Sequence, residues 1–124
     1  MAREINLSLY KSSTSTIFTG RPQGGMVRDK LELDKFDTQS DQAVLIIPED
    51  TTSFNPSFYL GLLFKSYDRL GVEGFDNKYS FEILSKDEET RKVLQNNLED
   101  GRRYAINSLE PNTGLKALFS KRKR

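Results

Sequence analysis

The sequence of 124 residues contains no histidine, no cysteine and no tryptophan. The absence of histidine excludes a Ser-His-Asp triad, a Cys-His pair and an ordinary zinc site, because histidine is the usual proton carrier near neutral pH and a leading metal ligand. The absence of cysteine excludes disulfides and thiol chemistry. An enzyme mechanism would have to rely on carboxylates, Lys, Arg, Tyr and backbone groups. The composition therefore argues against an enzyme, and it predicts no catalytic residues, no metal and no cofactor.

The chain also lacks a long hydrophobic run. No apolar segment approaches the roughly 20 residues of a membrane span, and the N-terminus lacks the basic-then-apolar order of a signal peptide. Hydrophobic residues make up 35% of the chain and charged residues 30%, as in a small α/β domain with a hydrated surface. We therefore expect one cytoplasmic domain without a membrane partner.

The net charge of +1 is unevenly distributed. The last ten residues hold five of the 19 basic residues and none of the 18 acidic ones, so the rest of the chain carries −4. We expect a domain at residues 1–110 and a basic tail at 111–124 that has loose structure or forms a frayed helical turn. The only hint of nucleic-acid binding is the terminal run of Lys121, Arg122, Lys123 and Arg124. Because no base-stacking aromatic platform accompanies this run, we expect no nucleic-acid partner.

Hydrophobic periodicity predicts alternating strands and helices. The predicted strands are residues 4–10, 14–19, 43–47 and 79–84, with the first two paired as a hairpin and the third in the centre of the sheet. The predicted helices are residues 26–33, 57–70 and a third that follows the capping-box pattern at 85–88 and stops at Gly101. Loops are predicted at 20–25 and 71–78, and a short extended segment at 104–106. This order predicts an α/β sandwich in which helices cover a mixed sheet of about four strands.

The glycine-rich segment at residues 20–25 is the first candidate site. Together with the guanidinium groups of Arg21 and Arg28, the backbone at Gly24 and Gly25 could cradle an anion. The segment matches neither the Walker A spacing nor the dinucleotide fingerprint. Its alternative interpretation is a tight turn before a solvated helix start.

The loop that follows the central strand is the second candidate. Asp50 lies where a parallel strand ends, a position from which carboxylates bind Mg²⁺ or accept a phosphoryl group. The earlier predicted strands end at Tyr10 and Thr19 and offer no paired carboxylates. A turn whose Asp50 and Thr52 side chains bond to nearby backbone is the better interpretation.

The third candidate is one face of the predicted helix at 57–70. Ser57, Gly61, Lys65 and Asp68 follow at spacings of four, four and three, so they share a face that we expect to be exposed. Gly61 would allow a partner's backbone to approach closely. Ser57 either caps the helix or carries a phosphate that would switch an association.

The segment Phe54-Asn55-Pro56-Ser57, with the Leu-rich helix after it, resembles the signature region of STAS domains, the fold of anti-sigma factor antagonists. The uncharacterised STAS-like group is a closer match, because it combines a Gly-Arg-rich loop and a following Arg with a Ser-Phe pair that opens the helix. Two departures concern the phosphoacceptor motif. Asn55 stands where the family has Asp, and Pro56 stands where it has the usual acceptor serine, so Ser57 is the remaining hydroxyl.

The resemblance implies a non-enzymatic regulatory module that binds another protein, with a GHKL-type ATPase or serine kinase as the partner and Ser57 as the phosphorylation site. The implied partner-binding residues are Asp50, Thr52, Asn55, Ser57, Gly61 and Lys65. The alternative hypothesis is a small anion- or nucleotide-binding protein, or an enzyme, that uses Arg21, Gly24, Gly25 and Arg28.

Overall fold

The computed structural model describes residues 2–10 and 15–119, with side chains described for 3–10 and 15–109. The strands are β1 Ala2–Asn6, β2 Ile17–Phe18, β3 Gln42–Ile47, β4 Ser53–Phe54 and β5 Tyr79–Ile83. The helices are a 3₁₀ turn at Leu7–Tyr10, α1 Arg21–Leu31, α2 Leu33–Phe36, α3 Pro56–Lys78 and α4 Glu88–Phe119. The basic run at 121–124 lies outside the described residues. The fold is α/β, as the sequence predicts.

The described residues form two small parallel sheets. Strands β1, β3 and β5 lie side by side in that order, which confirms that residues 43–47 belong to the central strand. Strands β2 and β4 form a separate parallel pair. Every described strand pair is parallel, so the predicted mixed sheet is wrong, and the described strands number five.

The predicted hairpin between the first two strands is also wrong. After Asn6 the chain enters the 3₁₀ turn, in which the Asn6 Oδ1 atom accepts a hydrogen bond from the Ser8 backbone N–H at 2.9 Å. Leu7 is completely buried at this point. The turn and the buried leucine together end β1, and β2 pairs with β4 because its apolar Phe18 packs on the aromatic rings of Phe54 and Phe58.

The core lies between the three-stranded sheet and the helices. Successive residues of a strand point to opposite faces, and Ala43, Leu45 and Ile47 are buried on the helix side. Helix α3 packs on this face, and α1 and α4 pack on α3. The start of α3 is thereby held at the end of the molecule where β2 and β4 lie.

Helix α3 is longer than predicted because aromatic burial outweighs the polar composition of residues 71–78. The Phe75 ring stacks on Tyr67, with 3.8 Å between ring centres, and on Tyr79 at 4.9 Å. Helix α3 is kinked at Gly71, whose backbone is not helical. Its φ of 77° is a conformation that glycine adopts without strain. The predicted loop at 71–78 is therefore helical.

Helix α4 continues past both predicted endpoints. Gly101 does not stop the helix, because it is buried directly against the Tyr59 ring, and residues 104–106 are helical with Ala105 in the core. Residues 111–119, for which loose structure or a frayed helical turn was expected, continue α4 as helix to Phe119. None of the described helices combines the length and the apolar character needed to cross a membrane.

Candidate functional site

The start of α3 is joined to the start of α1 by a small polar network. The Asn55 Oδ1 atom accepts hydrogen bonds from the Ser57 backbone N–H at 2.8 Å and from the Ser57 hydroxyl at 2.6 Å. The Ser57 Oγ atom in turn accepts a bond from the Gly20 N–H at 3.1 Å. We call these three residues the Ser57 network. Asn55 is the N-cap of α3, and Pro56 follows as the first helical residue.

The loop before this network is held in place by backbone bonds to β2 and to Thr16, the residue that precedes it. The Thr52 N–H donates to the Thr16 carbonyl at 2.7 Å, and the hydroxyls of these two threonines lie 2.9 Å apart. The Asn55 N–H donates to the Phe18 carbonyl at 2.8 Å. Thr52 and Asn55 are exposed and share this anchoring, and Asp50 is exposed in the preceding turn.

The predicted exposed face of α3 is only partly exposed. Lys65 and Asp68 are exposed and Ser57 is half-buried. Gly61 lies against the backbone of α1, where an added Cβ atom would overlap the Arg21 carbonyl oxygen. The prediction that Gly61 receives a partner is therefore wrong, because α1 already occupies that position.

The predicted anion cradle is wrong for a related reason. The segment at 20–25 is not a loop, since α1 begins at Arg21 with a proline in its first turn. Gly24 is buried against α3, where a Cβ atom would overlap the Phe58 carbonyl oxygen, and Gly25 lies in the same helix. The Arg21 side chain is exposed, with its guanidinium 5.9 Å from the centre of the Phe64 ring.

Arg28, the second proposed anion ligand, is only 2% exposed and its guanidinium group is fully bonded. Its Nη2 atom lies 2.9 Å from Asp37 Oδ2 and 2.8 Å from Asp34 Oδ1. Its Nη1 atom donates to the Ser66 hydroxyl at 2.8 Å and to the Leu62 carbonyl at 3.0 Å. Its Nε atom donates to the same Asp34 oxygen at 3.1 Å, so all five N–H groups are bonded and none is left to bind an external anion.

The Asp37 carboxylate, which is also buried, accepts hydrogen bonds from the hydroxyls of Ser66 and Tyr79. We call Arg28, Asp37, Ser66 and Tyr79 the Arg28 network. Burial, and then the bond to Asp37, raise the pKa of Tyr79 above its usual range. The hydrogen bond from Arg28 lowers the pKa of Asp34 at the edge of the network.

The described residues hold no group of three or more His, Cys, Asp or Glu side chains that could bind a metal ion. No protein-family model, curated protein or solved structure matches the chain. Assignment of a function therefore depends on the chain's own geometry.

Sequence reasoning did not identify two features of this region. One is the Gly20 N–H as a partner of the Ser57 hydroxyl; Gly20 has a φ of 94°, a conformation that favours glycine. The other is a set of exposed apolar side chains near the site, namely Leu9, Ile17 and Met26. Their apolar character was visible in the sequence, but the strand and helix patterns assigned no exposed role to it.

Proposed function

We propose that this chain is a STAS-like, non-enzymatic regulatory module that binds a protein partner at the start of α3. The Ser57 network carries the proposal. It places a serine hydroxyl at a helix N-terminus, and this hydroxyl joins two segments of the chain. The exposed side chains of Thr52 and Asn55 lie beside it, and that of Lys65 lies two turns along α3. Asp50 completes the proposed docking surface.

Phosphorylation of Ser57 would change this surface through simple chemistry. The esterified oxygen carries no proton and can no longer donate to Asn55 Oδ1, which now lies 2.6 Å away. The new charge would instead be attracted to the N–H groups at the helix start. Both the Asn55 cap and the Gly20 segment would have to adjust, so the modification would alter the docking surface.

The resemblance to STAS-like proteins supports a GHKL-type ATPase or serine kinase as the partner. The alternative of an anion- or nucleotide-binding protein is not retained. Two of its four proposed ligand residues, Gly24 and Arg28, are buried in contact with other parts of the fold and cannot reach an external anion.

Intact-mass measurement tests the proposal. The full chain is incubated with ATP and a GHKL-type ATPase or serine kinase from the same genome. We expect one phosphoryl group on the wild-type chain and on a Ser80→Ala control, whose substitution lies on the exposed side of β5. Ser57→Ala should stay unmodified. The affinity for the same ATPase, measured by calorimetry, should change at least about tenfold on phosphorylation, because the phosphate adds nearly two negative charges at the interface.

Absence of a mass shift in the wild type, or a shift that persists in Ser57→Ala, would reject Ser57 as the acceptor. If neither the phosphorylated nor the unphosphorylated chain binds the ATPase, this class of partner is rejected.

A further inference from the structure

Three adjoining surface clefts run along α1, with volumes of about 370, 280 and 500 Å³. Tyr10 lines all three, Gln23 lines the first two, and Lys30 lines the second and third. The first cleft also contains Gly20, the residue bonded to the Ser57 hydroxyl. These shared lining residues connect neighbouring clefts, and we call the connected set the α1 groove. It begins at the Ser57 network and ends near α2.

The half of the α1 groove nearest the Ser57 network is apolar. Leu9 is 78% exposed, Met26 57% and Ile17 44%. Single exposed apolar side chains are common on protein surfaces, but three along connected clefts form a patch of the kind found at interaction sites. Gln23 supplies amide groups that could bond to a peptide backbone.

The opposite end of the α1 groove is basic. Arg3, Lys30 and Lys35 line the largest cleft together with two acids, Glu32 and Asp41. No salt bridge joins any of these five side chains to a partner among the residues whose side chains are described. The three cations outnumber the two carboxylates, so this end attracts negative charge.

A buried cation adds to the positive charge at this end. Lys78 is only 8% exposed, and its Nζ atom lies 4.2 Å from the centre of the Phe36 ring. The ammonium group donates to the carbonyls of Gln39 and Asp41. The Arg3 guanidinium lies 5.3 Å from the centre of the same ring. Because neither cation has a carboxylate partner among the described side chains, an incoming acid would meet uncompensated charge.

We infer that the α1 groove binds a peptide segment of the partner protein that is apolar at one end and acidic at the other. This inference rests on the proposed function, because it names the chemistry of the segment that docks beside Ser57. Eleven residues of α1 span about 16 Å, a length that roughly five extended residues cover. The apolar residues would lie over Leu9, Ile17 and Met26, and the acidic ones would lie beside Arg3, Lys30 and Lys35.

The division of the groove favours this occupant over two others. A nucleic acid would gain little from the apolar half, because phosphate contacts dominate its affinity. A second copy that paired the groove with itself would place either two basic ends together or a basic end over an apolar one, and neither arrangement supplies the acidic groups that suit the basic end.

Selection from a phage-displayed random peptide library on the immobilised full chain tests the inference. Enriched peptides should combine two or more apolar residues with acidic residues at one end. A fluorescein-labelled enriched peptide is then titrated with purified variants by fluorescence polarisation. Met26→Lys and Lys35→Glu should each weaken binding at least about tenfold, through loss of an apolar anchor and of charge complementarity. Their far-ultraviolet circular dichroism should match the wild type, since both side chains are exposed.

Lys92→Glu is the matched control, because it reverses an exposed charge on α4, away from the groove. It should leave peptide affinity within about twofold. Enrichment of basic peptides, absence of enrichment, or equal effects of Lys92→Glu and Lys35→Glu would overturn the inference. Sedimentation that shows a dimer disrupted by Met26→Lys would assign the groove to self-association and would also overturn it.

Ser57→Ala separates this inference from the proposed function. Peptide affinity should persist in Ser57→Ala, because no groove side chain is changed. If Ser57 is phosphorylated but the library yields no enriched peptide, the peptide-binding groove is rejected and the phosphorylation switch is retained. If a peptide binds but Ser57 is not phosphorylated, the switch is rejected and the groove is retained.

Discussion

The Arg28 network and the Ser57 network both connect the region of α1 to α3, but they lie in opposite environments. The side chains of Arg28 and Asp37 are 2% and 0% exposed. Asn55 in the Ser57 network is exposed, and Ser57 is half-buried. The first network therefore contains a desolvated ion pair, whereas the second contains neutral groups within reach of water.

This difference separates a structural role from a regulatory one. Removing one member of a buried ion pair leaves an uncompensated charge, which is far more costly than losing an exposed hydrogen bond. The Arg28 network is thus suited to holding α1, α2 and α3 together. The hydrogen bonds of the Ser57 network can be rearranged with little loss of folding free energy, which is what a regulatory switch requires. Three substitutions test this comparison, in order of decreasing expected effect.

Arg28→Met should have the largest effect. It keeps much of the side-chain volume but leaves the Asp37 carboxylate buried without its cation, so we expect a loss of about 3–5 kcal/mol in the free energy of unfolding. Urea denaturation followed by circular dichroism measures it. The control Arg102→Met removes an exposed ion pair with Asp76 and should cost less than about 1 kcal/mol. Equal losses in the two variants would contradict a structural role for the Arg28 network.

Tyr79→Phe should have an intermediate effect that depends on pH. At pH 7 the loss of a hydrogen bond to a buried carboxylate should cost about 1–3 kcal/mol. The pKa of the Tyr79 hydroxyl is higher in the folded protein than in the unfolded chain. The hydroxyl therefore contributes its full stabilisation below about pH 10, near its unfolded pKa, and this contribution declines as the pH rises further. Above pH 10 the cost of the substitution should shrink by about 1.4 kcal/mol per pH unit.

Urea denaturation of wild type and Tyr79→Phe at pH 7, 10 and 11 measures this trend. A cost that stays constant over the series would show that the Tyr79 hydroxyl titrates normally in the folded protein. The Ser57 network contains no titratable side chain, so Ser57→Ala should show a cost that does not vary across the same series.

Asn55→Ala should have the smallest effect. Loss of an exposed N-cap should reduce the free energy of unfolding by about 1 kcal/mol. Asn55→Asp keeps an oxygen acceptor for the Ser57 N–H and should stay within a few tenths of a kcal/mol of the wild type. Thermal and urea denaturation at pH 7 measure both variants. A loss in Asn55→Ala as large as that in Arg28→Met would remove the distinction between the two networks.

The elements with strong local patterns were predictable from the sequence. The β-branched run at 43–47 identified the central strand, and the alternation at 79–84 identified β5, because each pattern follows directly from strand geometry. The start of α3 was predicted to within one residue, but Ser57 was offered as the residue that caps the helix, whereas Asn55 is the N-cap. At α4, Asp87 rather than Ser85 caps the first turn, through bonds from the Thr90 hydroxyl at 2.6 Å and the Thr90 N–H at 2.9 Å.

The errors concern residues whose role depends on distant contacts. Arg28 was offered as a ligand for an external anion, yet Asp34, Asp37 and Ser66 surround it in the fold. Gly61 was expected to be open because its neighbours on the same face are polar. Neither position carries a local signal of the element that packs against it.

The sequence by itself determined the class of the fold, the central strand and the serine at the start of α3, since these follow from patterns within one segment of the chain. The tertiary structure alone decided which polar residues are available. Gly24 and Gly61 bring two helix backbones into contact, and Arg28 is buried in the resulting packing while Ser57 stays only half-buried. Whether a polar side chain is buried depends on the elements that pack around it in the folded chain. The local pattern of polar and apolar residues does not specify these elements.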